Sequence, residues 1–410
     1  MRSPQEALRA AYPPALASLV RIAGDLETAQ DVLHEAAERA LTRWTAQMPT
    51  QPAAWLVRVS QNILVDRQRR VFVRERHALQ DRWQVDSPTG LEDPLVAGFR
   101  DDMLRLIFTC CHPVLPKDSQ VALTLRTVAG LPLDQIAAAF LVTVPTMEQR
   151  LVRARRRLRE ARVRYETPSA EELPERLSAV CAVVLHIFND GYSYSRHGPS
   201  LRPRLCELAI RLARLLERLM RPSAEASGLL ALLLLQHSRW QARTVDLPRF
   251  VSLEEQDRTL WDRRLIREGQ ALVERALRRR DVGPFQIQAA IAAVHSSAAS
   301  HEQTDWPQIV ALYDALERHQ PTAVVHLNRA IAIAQAGDPN ESLGLLDAIG
   351  RSGALGEYRY FHIAMGYVRA MLGDVGGATK AYRRALELVD NDVERTHLRT
   401  EIEKLEKSHA

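Results

Sequence analysis

The sequence predicts an all-α protein. Ala, Leu and Arg dominate it, and these are strong helix formers. Runs of β-branched residues are scarce. From about residue 170 onward, Leu/Ala/Arg-rich stretches follow one another with only short polar breaks. A chain of 410 residues, 46% of them apolar, is long enough for about two to four domains with real cores.

The elements follow in order. In DLETAQDVLHEAAERALTRW (25–44), Ala29, Val32, Leu33, Ala36, Ala40 and Leu41 stand at helical spacing and should face inward. Pro49 and Pro52 end that segment, and AAWLVRVSQNILVDRQRR (53–70) begins a second amphipathic helix that turns basic at its end. Residues 74–99 mix charges with DSPTG and proline and read as a linker, with room for a short helix. Helices resume with DDMLRLIFTCCHPVL, expected to stop near Pro113, and again from Pro116 to Gly130. A short helix over Leu133 to Phe140, a turn at LVTV and a helix opening near Thr146 complete the first part. FNDGYSYS (188–195) has turn composition, with a binding-loop role as the alternative.

Two C-terminal stretches are self-similar, NRAIAIAQAGDPNESLGLLDAI and HIAMGYVRAMLGDVGGATKAYRRALEL. Their pairs Gly337-Asp338 and Gly373-Asp374 lie 36 residues apart, close to the tetratricopeptide period of about 34. Gly366, Gly373, Ala378, Tyr382 and Ala385 supply the small, turn and aromatic positions of such a repeat. Ala330, Gly337, Ser342, Leu346 and Ile349 match it less fully.

Charge is distributed unevenly. TMEQRLVRARRRLREARVR (146–164) holds eight arginines and two glutamates, a net +6, whereas the whole chain carries +5. The rest therefore sums to −1, and the natural partner of so local an excess is a phosphate backbone. Met147, Leu151, Ala154 and Leu158 fall on one inward stripe with Ile136, Ala137 and Phe140 opposite, so the two helices make a helix-turn-helix pattern. Thr146, Glu148, Gln149 and Arg150 are then placed to read base edges, and Arg153, Arg156 and Arg157 to hold the backbone. A plain helical hairpin would share the spacing but not the charge asymmetry.

Other classes are disfavoured. No Walker loop, dinucleotide glycine pattern or HExxH occurs, so neither a catalytic residue nor a cofactor is expected. Cys110, Cys111 and His112 are adjacent and diverge on a helix, so they read as core residues rather than metal ligands. Four cysteines make no disulfide framework, and the N-terminus has no signal-peptide apolar core. GLLALLLL (228–235) is too short to span a bilayer, and a cytoplasmic protein without membrane contact is expected.

The two N-terminal segments, DLETAQDVLHEAAERAL and AAWLVRVSQNILVDRQRR, resemble the core region of bacterial sigma factors of the sigma-70 family, in particular the extracytoplasmic-function (ECF) class. LPLDQIAAAF…TMEQRLVRARRRLREA resembles the second domain of the same factors. The resemblance implies sigma region 2 over 1–73, the linker over 74–99 and sigma region 4 over 100–165. It implies that Asp25, Asp31 and Glu35 grip the β′ clamp helices of core RNA polymerase and that region 4 meets the β flap. It further implies that Trp55, Asn62, Asp66, Arg67, Arg69 and Arg70 capture the unwound −10 element, while 146–157 reads −35. Single-stranded bases need a stacking surface and a basic groove, which suits such a set, although a Trp on an apolar face also serves as core. Two departures stand out: Leu141 and Val142 occupy a turn that often holds Gly, and Glu148 and Gln149 replace basic or small residues.

Residues 166–280 read as a helical extension domain and 281–410 as tetratricopeptide-like repeats. The whole resembles the subgroup with a long C-terminal extension, which also shares TCCHP and FNDGYSYS. Such repeats commonly present a surface to a protein partner. The resemblance implies a sigma factor regulated by its own extension. The competing reading is a conventional helix-turn-helix regulator with a repeat module that never engages polymerase.

Overall fold

The computed structural model describes residues 3–45, 47–75, 94–140, 142–192, 202–244, 250–279 and 282–407; the side chains of 68–75, 94–100 and 202 are outside that description. Nineteen α-helices and no strand occur among the described residues. They divide into two compact units, Met1–His186 and Ile187–Ala410.

The first unit contains α1 (Pro4–Ala23), α2 (Leu26–Arg43), α3 (Pro52–Glu75), α4 (Pro94–Cys110), α5 (Lys117–Thr127), α6 (Leu133–Ala139), α7 (Val144–Glu160) and the first part of α8 (Leu173–Tyr192). A capping box between Ser3 and Glu6 starts α1, and Gly24, at φ +84°, ends it in a left-handed conformation that other residues enter at a cost. The Asp25 side chain then caps α2 by accepting from the Thr28 amide at 2.8 Å. Ala29, Val32, Leu33, Ala36 and Ala40 are fully buried as the spacing predicts, but Leu41 is 44% exposed. The contact stripe of α2 is narrow and rich in alanine; Ala37 completes it at 8% exposure, and Leu41 falls beyond its edge. Leu56, Val57, Ser60 and Ile63 of α3 close this three-helix core.

The expected linker is helical from Pro94 and also at its start, where α3 runs to Glu75; residues 76–93 lie outside the described residues. Helix α4 stops at Cys110, and its side packs on α1. The TCCHP stretch is structural. Cys110 Sγ sits 2.9 Å from Thr127 Oγ1, and Cys111 Sγ sits 3.5 Å from Thr124 Oγ1. Burial raises both thiol pKa values, that of Cys111 to about 11, so neither is a ready thiolate.

The second unit contains the rest of α8, then α9 (Arg202–Leu219), α10 (Ala224–His237), α11 (Trp240–Thr244), a 3-10 turn (Arg258–Leu260), α12 (Arg263–Leu277), α13 (Pro284–Ser297), α14 (Trp306–His319), α15 (Ala323–Gln335), α16 (Pro339–Ser352), α17 (Arg359–Met371), α18 (Val375–Leu388) and α19 (Asp392–Lys407). FNDGY is not a turn: α8 continues through it, with Phe188 fully buried and stacked on Tyr192 at 5.3 Å; residues 193–195 lie outside the described residues. A ring one helical turn further on extends the apolar face, and that outweighs the turn composition.

GLLALLLL is the heart of α10, buried on every side by α9, α12 and α13. No described helix is long and apolar enough to cross a membrane. The pairs α15–α16 and α17–α18 share one construction. Gly337 (φ +106°) and Gly373 (φ +75°) end the first helix of each pair. Asp338 and Asp374 cap the second, accepting from Glu341 and Gly377 amides at 2.9 and 2.8 Å. Ala330, Leu346 and Ile349 fill one seam, and Ala378, Tyr382 and Ala385 the other.

Candidate nucleic-acid interface

Helices α6 and α7 form the expected hairpin. Thr143 caps α7, accepting from the Thr146 amide at 3.4 Å, and its hydroxyl also meets that of Thr146 at 2.8 Å. Met147, Leu151, Ala154 and Leu158 are all buried against α6 and α5, as are Ile136 and Ala137 of α6. Phe140 is only half-buried, because it carries the Arg150 guanidinium 5.2 Å above its ring. Arg150 also lies 3.6 Å from Asp118, so this predicted base reader starts out partly engaged.

The outward face is well defined. Thr146, Glu148, Gln149, Arg153, Arg156 and Arg157 are all exposed. Val152 is 52% exposed among them, an apolar spot of the kind that can meet a thymine methyl. Arg156 pairs with Glu160 at 3.2 Å across one turn, an exposed pair weak enough to yield to a phosphate.

The arginines do not all point outward. Arg155 and Arg159, one turn apart, form a second row directed at the acidic face of α2. Arg159 is ion-paired with Glu27. Arg155 is partly buried; burial lowers its guanidinium pKa, while the nearby Glu27 and Asp31 charges offset that in part. Tyr12 of α1 lies in the same contact, its hydroxyl pushed above the usual value by burial. This row was missed by spacing alone. Its only trace in the sequence is that the apolar stripe of α7 does not account for positions 155 and 159.

The predicted acidic residues have varied roles. Asp25 is the α2 cap. Asp31 is exposed beside Arg155. Glu35 joins Arg39 at 2.6 Å and Arg67 of α3 at 3.2 Å, so it links two sets of residues expected to serve polymerase and DNA. On α3, Asn62, Asp66 and Arg67 are exposed. Trp55 is half-buried, with its ring edge-on to the buried Trp44 at 5.5 Å. Arg69 and Arg70 lie on α3, but their side chains are outside the described residues.

A buried polar knot joins the two halves of this unit. Asp102 of α4, 1% exposed, accepts from Ser18 (2.8 Å), Arg21 (3.0 Å) and Arg105 (3.0 Å). The Tyr165 hydroxyl lies 2.7 Å from the Ala17 carbonyl and 2.8 Å from that of Asp102, so it ties α1 to α4. Arg176 of α8 donates to the Phe108 carbonyl at 2.7 Å. Nothing in spacing or composition marked these residues. Their partners are 81 and 148 positions away in the chain for Arg21 and Tyr165.

With this geometry in hand, comparison with known proteins is decisive. Residues 105–158, from the end of α4 through α5 and α6 to most of α7, match the family described as "Sigma-70, region 4". The RNA polymerase sigma-H factor of Pseudomonas aeruginosa is 32% identical over 164 residues, covering 36% of this chain and 79% of that protein. The chain belongs to the sigma-70 family. It is an ECF-type sigma factor with a long C-terminal extension, of which residues 176–277 match a family of unknown function, DUF6596. A probable ECF RNA polymerase sigma factor, SigI, of Mycobacterium tuberculosis is 28% identical over 154 residues, 37% of this chain and 52% of that protein. An uncharacterized protein of Rhizobium meliloti is 43% identical over 405 residues, covering 97% of this chain and 95% of the relative, so the sigma regions and the extension occur together in it too. No solved structure matches.

Proposed function

We propose that this sigma factor binds core RNA polymerase through the acidic face of α2 and meets the β flap with region 4. In this reading it holds the melted −10 strand on the outer face of α3 and reads the −35 duplex with the outer face of α7. The observation that carries the proposal is α7 itself: a fully buried apolar stripe opposite an exposed row of Arg153, Arg156 and Arg157, presented by a capped hairpin. Backbone arginines give affinity that falls with salt, and Glu148, Gln149 and the engaged Arg150 supply the side chains that discriminate bases.

The charged contact between α7 and α2 defines a resting form. Elements at −10 and −35 are separated by more than two turns of duplex, roughly 80 Å. Helix α7 is only about 25 Å long, and here Arg159 ties it to Glu27 of α2. Reading both elements therefore requires Arg155 and Arg159 to leave Glu27 and Asp31, which also frees the acidic face for polymerase. The extension bears on this step, because Arg176, near its start, fastens α4, and Tyr165, the last residue before it, ties α1 to α4. Regulation by the extension is part of the proposal, as is a protein-docking role for its tetratricopeptide-like repeats.

The test is run-off transcription with sigma-free core polymerase and the full chain. Initiation at defined promoters, lost in Arg153→Ala/Arg156→Ala/Arg157→Ala, supports the reading. The internal partners of Glu35 and Glu27 favour one alternative, a DNA-binding regulator that never engages polymerase. Asp31→Lys separates the two: it abolishes core binding under the proposal and leaves DNA binding untouched under the alternative.

A further inference from the structure

Val152 of α7 is 52% exposed, more than any other large apolar side chain among the described residues. A single exposed valine is ordinary on a protein surface. This one stands mid-helix, where a β-branched side chain loses rotamer freedom and favours helix less than the Arg, Lys or Glu of a solvated face. Its surroundings are the charged face of α7. At about 100° per residue, Gln149 and Arg156 point about 170° away from the centre of the buried stripe of Met147, Leu151, Ala154 and Leu158, and Val152 and Arg153 flank them at about 130° on either side. All four of these outward residues are exposed.

The face has a definite order along the helix axis. Side chains of a helix lean toward its N-terminus, so Val152 covers the turn that holds Gln149. The two are three residues apart, about 4.5 Å of rise, and residues three apart on a zinc-finger helix meet successive bases. Arg150, between them in sequence, is drawn aside, 5.2 Å over the Phe140 ring and 3.6 Å from Asp118. Arg153 and Arg156, exposed beside Val152, are of the type that holds phosphates and fixes the register of a helix in the groove. The major-groove edge offers one apolar group, the C5-methyl of thymine. Valine has nothing to donate or accept, so that methyl is the feature it can distinguish.

We propose that Val152 determines specificity at −35 by packing on the C5-methyl of a thymine, in the base pair next to the one that Gln149 meets. This rests on the reading of α7 as the −35 reader and adds to it the base that an apolar side chain selects. The selection works by burial: thymine covers the valine, and a pyrimidine without the methyl leaves it wet. Burying one methyl group changes affinity about fourfold. Phosphate contacts cannot supply that step, because they are the same for every sequence.

The test uses the full chain bound to sigma-free core polymerase. A promoter is selected from duplexes randomised at −35. Each −35 thymine, on either strand, is then replaced singly by deoxyuridine, which lacks only the C5-methyl, and affinity is read by competition. The parent should lose about fourfold at one position. Val152→Ala should bind the unmodified promoter about fourfold more weakly and show no further loss at that position, whereas Val152→Ile keeps the methyl dependence. Circular dichroism checks that both variants fold, and the deoxyuridine series on the parent needs neither. No loss at any −35 thymine in the parent, the same loss in Val152→Ala, or a selected −35 element without thymine overturns the proposal. Initiation from the selected promoter without a methyl effect leaves the sigma reading standing and removes this role of Val152. If the chain does not bind core polymerase, the sigma reading falls, and the same series is measured with the chain alone on the duplexes it selects; no selection or no methyl effect there overturns this proposal as well.

Discussion

The two units are held together by different kinds of contact. In the first, the junction between α1–α3 and α4–α7 is polar: a buried carboxylate with two arginines and a serine, a tyrosine hydroxyl on two carbonyls, and arginines of α7 facing acids of α2. In the second, helices meet through small residues and leucines. A Cβ on Gly228 of α10 would stand 2.6 Å from the Gln286 backbone nitrogen of α13, and one on Gly366 would stand 2.7 Å from the Tyr382 ring. Close apolar seams cost much to separate and have no substitute partner in water. Exposed charged contacts such as Arg159–Glu27 can trade protein partners for water, polymerase or phosphate at small net cost, unlike the buried Asp102 knot. The contact that the proposed function must open, between α7 and α2, is the one built from exposed, exchangeable charges.

This contrast can be broken at either side, and the apolar side should respond most. Gly228→Val forces α10 from α13 and is expected to cost about 3 kcal/mol or more, read as a lower thermal midpoint with exchange loss confined to the second unit. Asp102→Ala leaves Arg21 and Arg105 without their shared acid. Removing one partner of a fully buried pair costs about 3–5 kcal/mol, but the arginine side chains here are 46% and 30% exposed, so about 2 kcal/mol is expected. Hydrogen exchange should place that loss in α1 and α4. An equal loss in the second unit would contradict the division.

A pH effect belongs to the second unit. His295 is held neutral by burial first and by Arg239 and Arg258 second, with its pKa lowered to about 3. The unfolded chain takes up its proton near pH 6.5 and the folded chain does not. Stability is therefore full above that pH and falls as pH drops toward 3, by about 2 kcal/mol at pH 5. His295→Gln should flatten this slope in urea denaturation; an unchanged slope would place the sensitivity elsewhere. The smallest effect on stability should come from Arg153→Ala/Arg156→Ala/Arg157→Ala, which is near neutral for folding. Its signature is in binding: the slope of log affinity against log salt should become shallower by about three.

Much of this was legible in the sequence wherever one residue type served one purpose. The stripe of α7, the core of α2 apart from Leu41 and the two Gly-Asp helix ends follow from spacing and from local chemistry, whereas Asp25, read as a polymerase contact, turns out to cap α2. Spacing failed where side chains from distant segments decide the outcome. Leu41 has the right period for α2 but lies outside the narrow alanine contact. FNDGY has turn composition, yet the Phe188–Tyr192 stack keeps it helical. Arg155 and Arg159 look like their outward neighbours until α2 supplies acids. Asp102 and Tyr165 have no signature, because their partners are set by the packing of α1 on α4.

The central claim is that this charged, exchangeable junction belongs to a working sigma factor. The most direct test is run-off transcription from a genomic promoter library with sigma-free core polymerase and the full chain, repeated with Asp31→Lys and with the triple arginine variant. The account predicts initiation at a defined promoter set by the parent, loss of core binding in the first variant and loss of promoter selection in the second. No initiation by the parent, with core binding also absent, would contradict it.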